Sequence, residues 1–254
     1  MSTGAITAYI DVAQLTLYAF WIFFAGLIYY LHRENKREGY PLESERSPHV
    51  KVQGFPAMPD PKTYRLADGR TVMAPDPRPE TRPLAAEPVA AHPGAALQPT
   101  GNPMLDGVGP GAYALRADVP DRTIDGTDRI VPLRSAAGFD VAPQDTDPRG
   151  LPVQGADGVT GGTVRDLWVD RSEMLFRYLE VEVGTDGRSV LLPINFARIE
   201  RRRVRVDSVM GRHFAQVPTT REAARVTLLE EERVMAYYGG GTLYADPARA
   251  EPLL

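Results

Sequence analysis

The chain has 254 residues, 43% hydrophobic and 24% charged, with a formal net charge of −4. That length suits one folded body with an appended segment, and so balanced a charge gives no general reason to expect a nucleic-acid partner. The absence of cysteine excludes a disulfide framework, a thiolate metal site and a cysteine nucleophile, and fits a reducing compartment.

In chain order, the first feature is an apolar run from Val12 to Leu31, in which Gln14 and Thr16 are the most polar members. Some 20 residues rising ~1.5 Å each span the ~30 Å hydrocarbon layer of a bilayer. Tyr18, Trp21, Tyr29 and Tyr30 are amphipathic rings suited to the two interfaces. A buried core helix is the competing reading, but soluble cores rarely hold so long an unbroken apolar run. A cleaved signal peptide fits poorly, because no Lys or Arg precedes the run. Arg33, Lys36 and Arg37 follow it, so the positive-inside rule places residues 1–11 outside and the bulk of the chain in the cytoplasm.

Residues 32–120 form the second segment. Prolines are dense between about Tyr40 and Pro120, among them Pro56, Pro59, Pro61, Pro75, Pro77, Pro79, Pro83, Pro88 and Pro93. Proline removes a backbone donor and restricts its neighbour, which excludes a regular helix or a central strand. An extended arm is expected, either a disordered linker or an ordered arm laid over a partner, and composition favours disorder.

Residues 121–254 read as the folded body. Val164–Asp170, Leu175–Val183 and Ser189–Ile194 are strand-like, with Asp186-Gly187 as a hairpin turn between the last two. Arg203-Val204-Arg205-Val206 alternates as a further half-exposed strand. Short strands of this kind predict a small antiparallel barrel or sandwich. Thr227 and Glu230 have capping-box spacing for a helix from Leu228 to Tyr238, with Gly239 as its stop.

The usual catalytic signatures are missing. No Gly-Lys-Ser/Thr follows a glycine-rich turn, and Gly239-Gly240-Gly241 reads as a flexible helix end. His32, His49, His92 and His213 are scattered without metal spacing, and no serine sits in a nucleophile elbow. Arg198, Arg201, Arg202, Arg203 and Arg205 form a basic cluster that either attracts anionic headgroups or is a solvated strand face; the second reading is favoured. Asp125, Asp128, Asp170, Glu173 and the Glu230-Glu231-Glu232 run are carboxylates able to carry protons if their surroundings raise their affinity, although spacing alone favours plain surface positions.

The anchor block Phe20-Trp21-Ile22-Phe23-Phe24-Ala25-Gly26-Leu27-Ile28-Tyr29-Tyr30-Leu31, with Glu34-Asn35 and Arg37-Glu38-Gly39-Tyr40-Pro41-Leu42-Glu43, resembles the H subunit of the photosynthetic reaction centre of purple bacteria. Further matches occur in order: Asp106-Gly107-Val108-Gly109-Pro110, Ala136-Ala137-Gly138-Phe139, Gly150-Leu151-Pro152-Val153, Trp168-Val169-Asp170, Leu179-Glu180-Val181-Glu182, Leu192-Pro193 and Val226-Thr227-Leu228-Leu229-Glu230-Glu231. The resemblance is weakest over residues 44–100. It implies one N-terminal transmembrane helix and a mainly β cytoplasmic domain, a small PRC-barrel with a short C-terminal helix. It also implies an arm that is ordered in the complex.

The resemblance further implies a non-catalytic subunit that caps the multi-span L and M subunits. Those partners would hold the bacteriochlorophyll, bacteriopheophytin, quinones and non-haem iron, with no cofactor bound by this chain alone. Light-harvesting ring subunits and membrane lipids are further expected neighbours, in a bacterial inner membrane. Asp170, Glu173 and Arg177 match positions that the family places near the proton path to the secondary quinone. The family's proton-uptake loop often carries two histidines and an aspartate; here that region holds Asp125, Thr127 and Asp128 without histidine. The proton-transfer candidates are therefore Glu173, Asp170, Asp125, Asp128 and Glu230, with Arg177 as supporting charge. A membrane-tethered PRC-barrel adaptor that binds another protein is the alternative.

Overall fold

The computed structural model describes every residue except 1–3, 7–9, 45–46, 68, 76–80, 93–94, 186 and 251–254, and the side chains of 43–44 and 47–50. The chain divides into two compact units, residues 1–82 and 83–254.

The first unit is built on α1 (Val12–Asn35), a 24-residue helix with no buried residue. The Asp11 carboxylate caps it, accepting from the Gln14 amide at 2.8 Å. Its length, about 36 Å at ~1.5 Å per residue, exceeds a bilayer core. Trp21, Ile22, Phe23, Ile28 and Leu31 all stand exposed along it. Two ribbons follow, β1 (Leu42–Ser44) with β2 (Ser47–Val52), and β3 (Lys62–Arg65) with β4 (Thr71–Ala74).

Among the described residues of this unit the buried ones are Lys36, Arg37, Pro56 and Pro59. Lys36 Nζ donates to the carbonyls of Gln53 and Pro56, each at 2.5 Å, and lies 5.0 Å from the centre of the Tyr40 ring. Arg37 donates to Glu34 at 2.9 Å, to the Ala74 carbonyl at 3.2 Å and to the Asp60 carbonyl. Two cations just past the helix thus collect the carbonyls that a proline-rich chain cannot pair in a ladder.

The second unit opens with a ribbon of β5 (Ala86–Pro88) and β6 (Leu97–Pro99). Its sheet has seven strands: β7 (Ile130–Pro132), β8 (Pro152–Gln154), β9 (Thr160–Asp170), β10 (Leu175–Val183), β11 (Arg188–Pro193), β12 (Ala197–Ile199) and β13 (Val204–Val206). The order is β11-β10-β9-β8-β13-β12. Strand β7 also pairs with β9, taking its last three residues while β8 takes its first ones. The β10–β11 register closes at Val183↔Arg188, as a tight hairpin requires; Asp186 of the expected Asp186-Gly187 turn lies outside the described residues. The sheet departs from the antiparallel expectation in one place, since β8 and β13 run parallel through Val204↔Val153. Strand β7 escaped prediction because three residues ending in proline show no alternation.

Helix α2 (Leu228–Tyr244) packs with this body. Its capping box forms as predicted: Thr227 Oγ1 accepts from the Glu230 amide at 3.1 Å, and Glu230 Oε2 accepts from the Thr227 amide at 2.8 Å. The expected stop at Gly239 is incorrect, because the helix continues through Gly239-Gly240-Gly241 to Tyr244. The glycines serve close packing instead. A Cβ on Gly239 would sit 2.8 Å from the Pro110 carbonyl, and one on Gly241 would sit 2.5 Å from Val209 Cγ1. That packing draws Met104, Val108 and Gly111, expected in the arm, into the second unit, where all three are buried. Leu167, Trp168, Leu179, Leu192, Phe214, Tyr237 and Tyr238 fill the centre of the core.

Candidate functional site

The site begins where β9 ends. Asp170 is completely buried there, and its Oδ1 accepts from the amides of Ser172 and Glu173, both at 2.9 Å. The turn closes when the Met174 amide donates to the Asp170 carbonyl, with Met174 in the left-handed region at φ 58°. Asp170 therefore shapes the turn that presents Glu173 and starts β10, from which Arg177 projects.

Two arginines converge on this turn. Arg129 Nε donates to Asp170 Oδ1 at 2.9 Å, and its Nη2 lies 2.9 Å from Oδ2. Arg129 also pairs with Asp121 at 3.1 Å and with Glu173. Arg177 reaches Asp170 at 3.3 Å and Glu173 at 2.8 Å. Burial pushes the Asp170 carboxyl upward, but Arg129 and the two amides outweigh it and hold the group below the usual carboxylate range. Arg129 is held more firmly protonated than usual, chiefly by its bond to Asp170.

A cleft of about 550 Å³ opens beside this cluster, lined by Asp170, Arg129, Arg177 and Asp121 and by Tyr178 and Glu231. The Tyr178 hydroxyl donates to Glu231 Oε2 at 2.7 Å. The proton affinity of Glu231 is raised. Burial drives it up, against the opposing effects of the Tyr178 hydrogen bond and of Arg116 and Arg177. Tyr178 is pushed up in turn by burial and the Glu231 charge, so it stays a donor. The cleft thus places an acid held in its ionised form, an acid of raised proton affinity and fixed cations side by side.

The sequence candidates fall into three groups. Asp170, Glu173 and Arg177 meet in one cluster. Glu173 is not part of the cleft wall; it is 45% exposed and held by the same two arginines. Asp128 is half-buried and ion-paired with Arg122 at 2.9 Å and Arg225 at 2.8 Å, and Arg171 ties its carbonyl to the β9–β10 turn. Asp125 lies exposed in the same loop. Glu230 stands apart, with both oxygens engaged: Oε2 in the cap, and Oε1 accepting from the Arg221 amide at 2.8 Å.

Tyr178 was not singled out from sequence, and Glu231 only as a member of the Glu230-Glu231-Glu232 run, not among the proton-transfer candidates. The capping box itself carries the signal: once Glu230 serves the cap, the acid left to face the sheet is its neighbour. Among the described residues, no group of three or more His, Asp or Glu side chains is arranged to ligate a metal.

Comparison with known families gives two matches. Residues 4–135 match the family described as photosynthetic reaction centre, H-chain N-terminal region, and residues 144–212 match the PRC-barrel domain. The first spans just over half of the chain, and the second contains β8 to β13.

Proposed function

Because the chain belongs to the photosynthetic reaction-centre H-chain family, we propose that it caps the cytoplasmic face of the L and M subunits, shields their quinone sites and conducts protons toward the secondary quinone. Membership of that family makes it a membrane-anchored, structural partner of other reaction-centre subunits. The finer roles rest on the cleft. An acid with raised proton affinity, Glu231, hydrogen-bonds to Tyr178 and shares one wall with Asp170 and its arginines. That observation carries the proton-conducting reading, since a relay needs a group that binds and releases protons beside groups that stay charged.

On this reading the bacteriochlorophyll, bacteriopheophytin, quinones and non-haem iron belong to the partner subunits, and this chain supplies residues that hold, orient and pass protons. The apolar faces of α1 meet lipid and the partners' helices by close packing. Exposed Arg33 supports a cytoplasmic bulk and a periplasmic N-terminus, even though Lys36 and Arg37 are occupied by the arm.

Reaction centres stripped of this chain are expected to keep initial charge separation, to lose most of the proton-coupled second reduction of the secondary quinone, and to regain it on adding the chain back. A second-reduction rate indifferent to its removal would refute the proposal. A colourless protein that never copurifies with near-infrared pigment would instead support the adaptor reading.

A further inference from the structure

A second cleft of about 560 Å³ lies in the same unit, between the β12–β13 hairpin, the last turn of α2 and the segment around Arg249. Three arginines line it, Arg198, Arg205 and Arg249, against one carboxylate, Asp207. Arg198 and Arg205 stand directly opposite each other in the β12–β13 register. Like charges facing across a strand pair are destabilising. Asp207 relieves only one of them, accepting from Arg205 Nε at 2.7 Å. Arg198 has no ion-pair partner among the described residues.

Arg249 is preorganised rather than free. Its guanidinium donates at 2.9 Å to the carbonyls of Ser208, Gly241 and Asp207, which fixes the floor of the cleft. Ser208 is also among the residues that line the cleft. Ser208 is only 5% exposed, yet its Oγ has no hydrogen-bond partner among the described residues. Buried hydroxyls are nearly always paired. A cross-strand arginine pair neutralised on one side only, the fixed Arg249 guanidinium and Asn195 therefore share one concave surface.

We propose that this cleft binds a phosphate group. A tetrahedral oxyanion offers enough acceptors for two guanidinium forks together, and its charge removes the repulsion between Arg198 and Arg205. A single carboxylate would satisfy one fork and leave the other unmatched. The group comes either from an anionic phospholipid headgroup or from a soluble phosphate, and the same contacts serve both.

The test uses the full chain in non-ionic detergent. Inorganic phosphate is titrated in one arm, and mixed micelles containing phosphatidylglycerol or only phosphatidylcholine in the other, with binding followed by calorimetry. Saturable binding of phosphate, phosphatidylglycerol or both is expected, weakened roughly tenfold or more in the double variant Arg198→Gln/Arg205→Gln. The control Arg201→Gln/Arg202→Gln, which removes equal charge outside the cleft, should keep its affinity. Binding of phosphatidylglycerol alone identifies a lipid headgroup, and binding of inorganic phosphate alone identifies a soluble ligand. The double variant should also melt higher than the parent without ligand, because it lacks the facing charges, and phosphate should no longer raise its melting temperature. No saturable binding in either arm, or equal loss in both double variants, would overturn the proposal.

Discussion

Strands β9 and β10 carry two arginine–carboxylate clusters of similar composition and opposite character. In one, Asp166 and Glu180 face each other across the strands, 7% and 5% exposed, with Arg134 bridging them at 2.8 and 2.6 Å. Trp168 Nε1 donates to the same Glu180 oxygen at 3.0 Å, and Arg134 also donates to the Ala223 carbonyl. In the other, four residues further along β9, Asp170 is just as buried, but its arginines extend outward to Glu173, to Asp121 and into the cleft. The first cluster spends its hydrogen bonds on itself and on the core. The second leaves charged groups facing open space. Both clusters keep a partly exposed arginine, and what separates the second from a fastener like the first is that only the second borders a cleft.

The sharpest way to break the comparison is Arg134→Met. It would leave two buried carboxylates opposed, with only the more distant Arg165, 3.8 Å from Glu180, as a neighbouring cation, a situation that costs about 3 kcal/mol. Arg134 holds its proton more firmly than usual despite a burial effect that opposes it, because Glu180 and Asp166 surround it. Denaturant unfolding of the full chain at neutral pH should show the loss. Lowering the pH toward the carboxylate range should restore part of it, as protonation removes the repulsion. An unchanged midpoint would mean that the cluster contributes little.

Asp170→Asn comes next. It keeps the side-chain shape but removes the charge that Arg129 and Arg177 share, for a loss of about 2 kcal/mol at neutral pH. Because the folded Asp170 carboxyl lies below its unfolded value, its stabilisation is complete above roughly pH 4 and disappears as pH falls through the lower folded value. The variant should therefore lose part of the acid limb of the stability profile. An acid limb that superimposes on the parent's would show that Asp170 is not its source.

The contrast between the clusters was only partly legible in the sequence. Strand β10 was found with its observed bounds, and the capping box with both partners, because those signals are local: alternation in one case, a three-residue spacing in the other. Asp170, Glu173 and Arg177 were found together only through the resemblance to the reaction-centre H subunit, since spacing alone favoured plain surface positions. Arg129 and Arg134 were not, although each is the centre of its cluster. They reach their carboxylates across 41 and 32 residues of chain, and no spacing rule covers that span. The glycine run misled for a related reason. Its meaning depends on Pro110 and Val209 packed against it, which local propensity cannot register.

Glu231→Gln sharpens the comparison by a smaller effect of the opposite sign. Burial raises the folded Glu231 carboxyl above its unfolded value near pH 4.3. Between those two values the folded state holds the extra proton, so stability declines as pH rises through the window. Glutamine removes that decline while still accepting from Tyr178. A melting temperature about 2 °C above the parent's near pH 8, and none below pH 4, is the expected result. Equal shifts at both ends would point to packing instead of ionisation.

Glu173→Gln should change stability least. The side chain is 45% exposed, and its pairs with Arg129 and Arg177 resemble surface ion pairs, worth about 0–1 kcal/mol. The amide that Glu173 gives to Asp170 belongs to the backbone and survives the substitution. The turn, Asp170 and both arginines should therefore stay in place. Only an exchangeable acid next to two fixed cations is removed. On the proton-conducting reading this variant separates function from folding more cleanly than any other change in the cluster. In the assembled complex, initial charge separation should be unaffected, because it precedes proton uptake. The proton-coupled second reduction of the secondary quinone should slow a few-fold, and no more, since Asp121, Glu231 and water remain as detours. Flash kinetics between about pH 6 and pH 9 should show the gap widening as pH rises, where free protons are scarcer and a relay acid matters more. A second-reduction rate equal to the parent's across that range would place Glu173 with the fasteners, a residue that only orients Arg129 and Arg177.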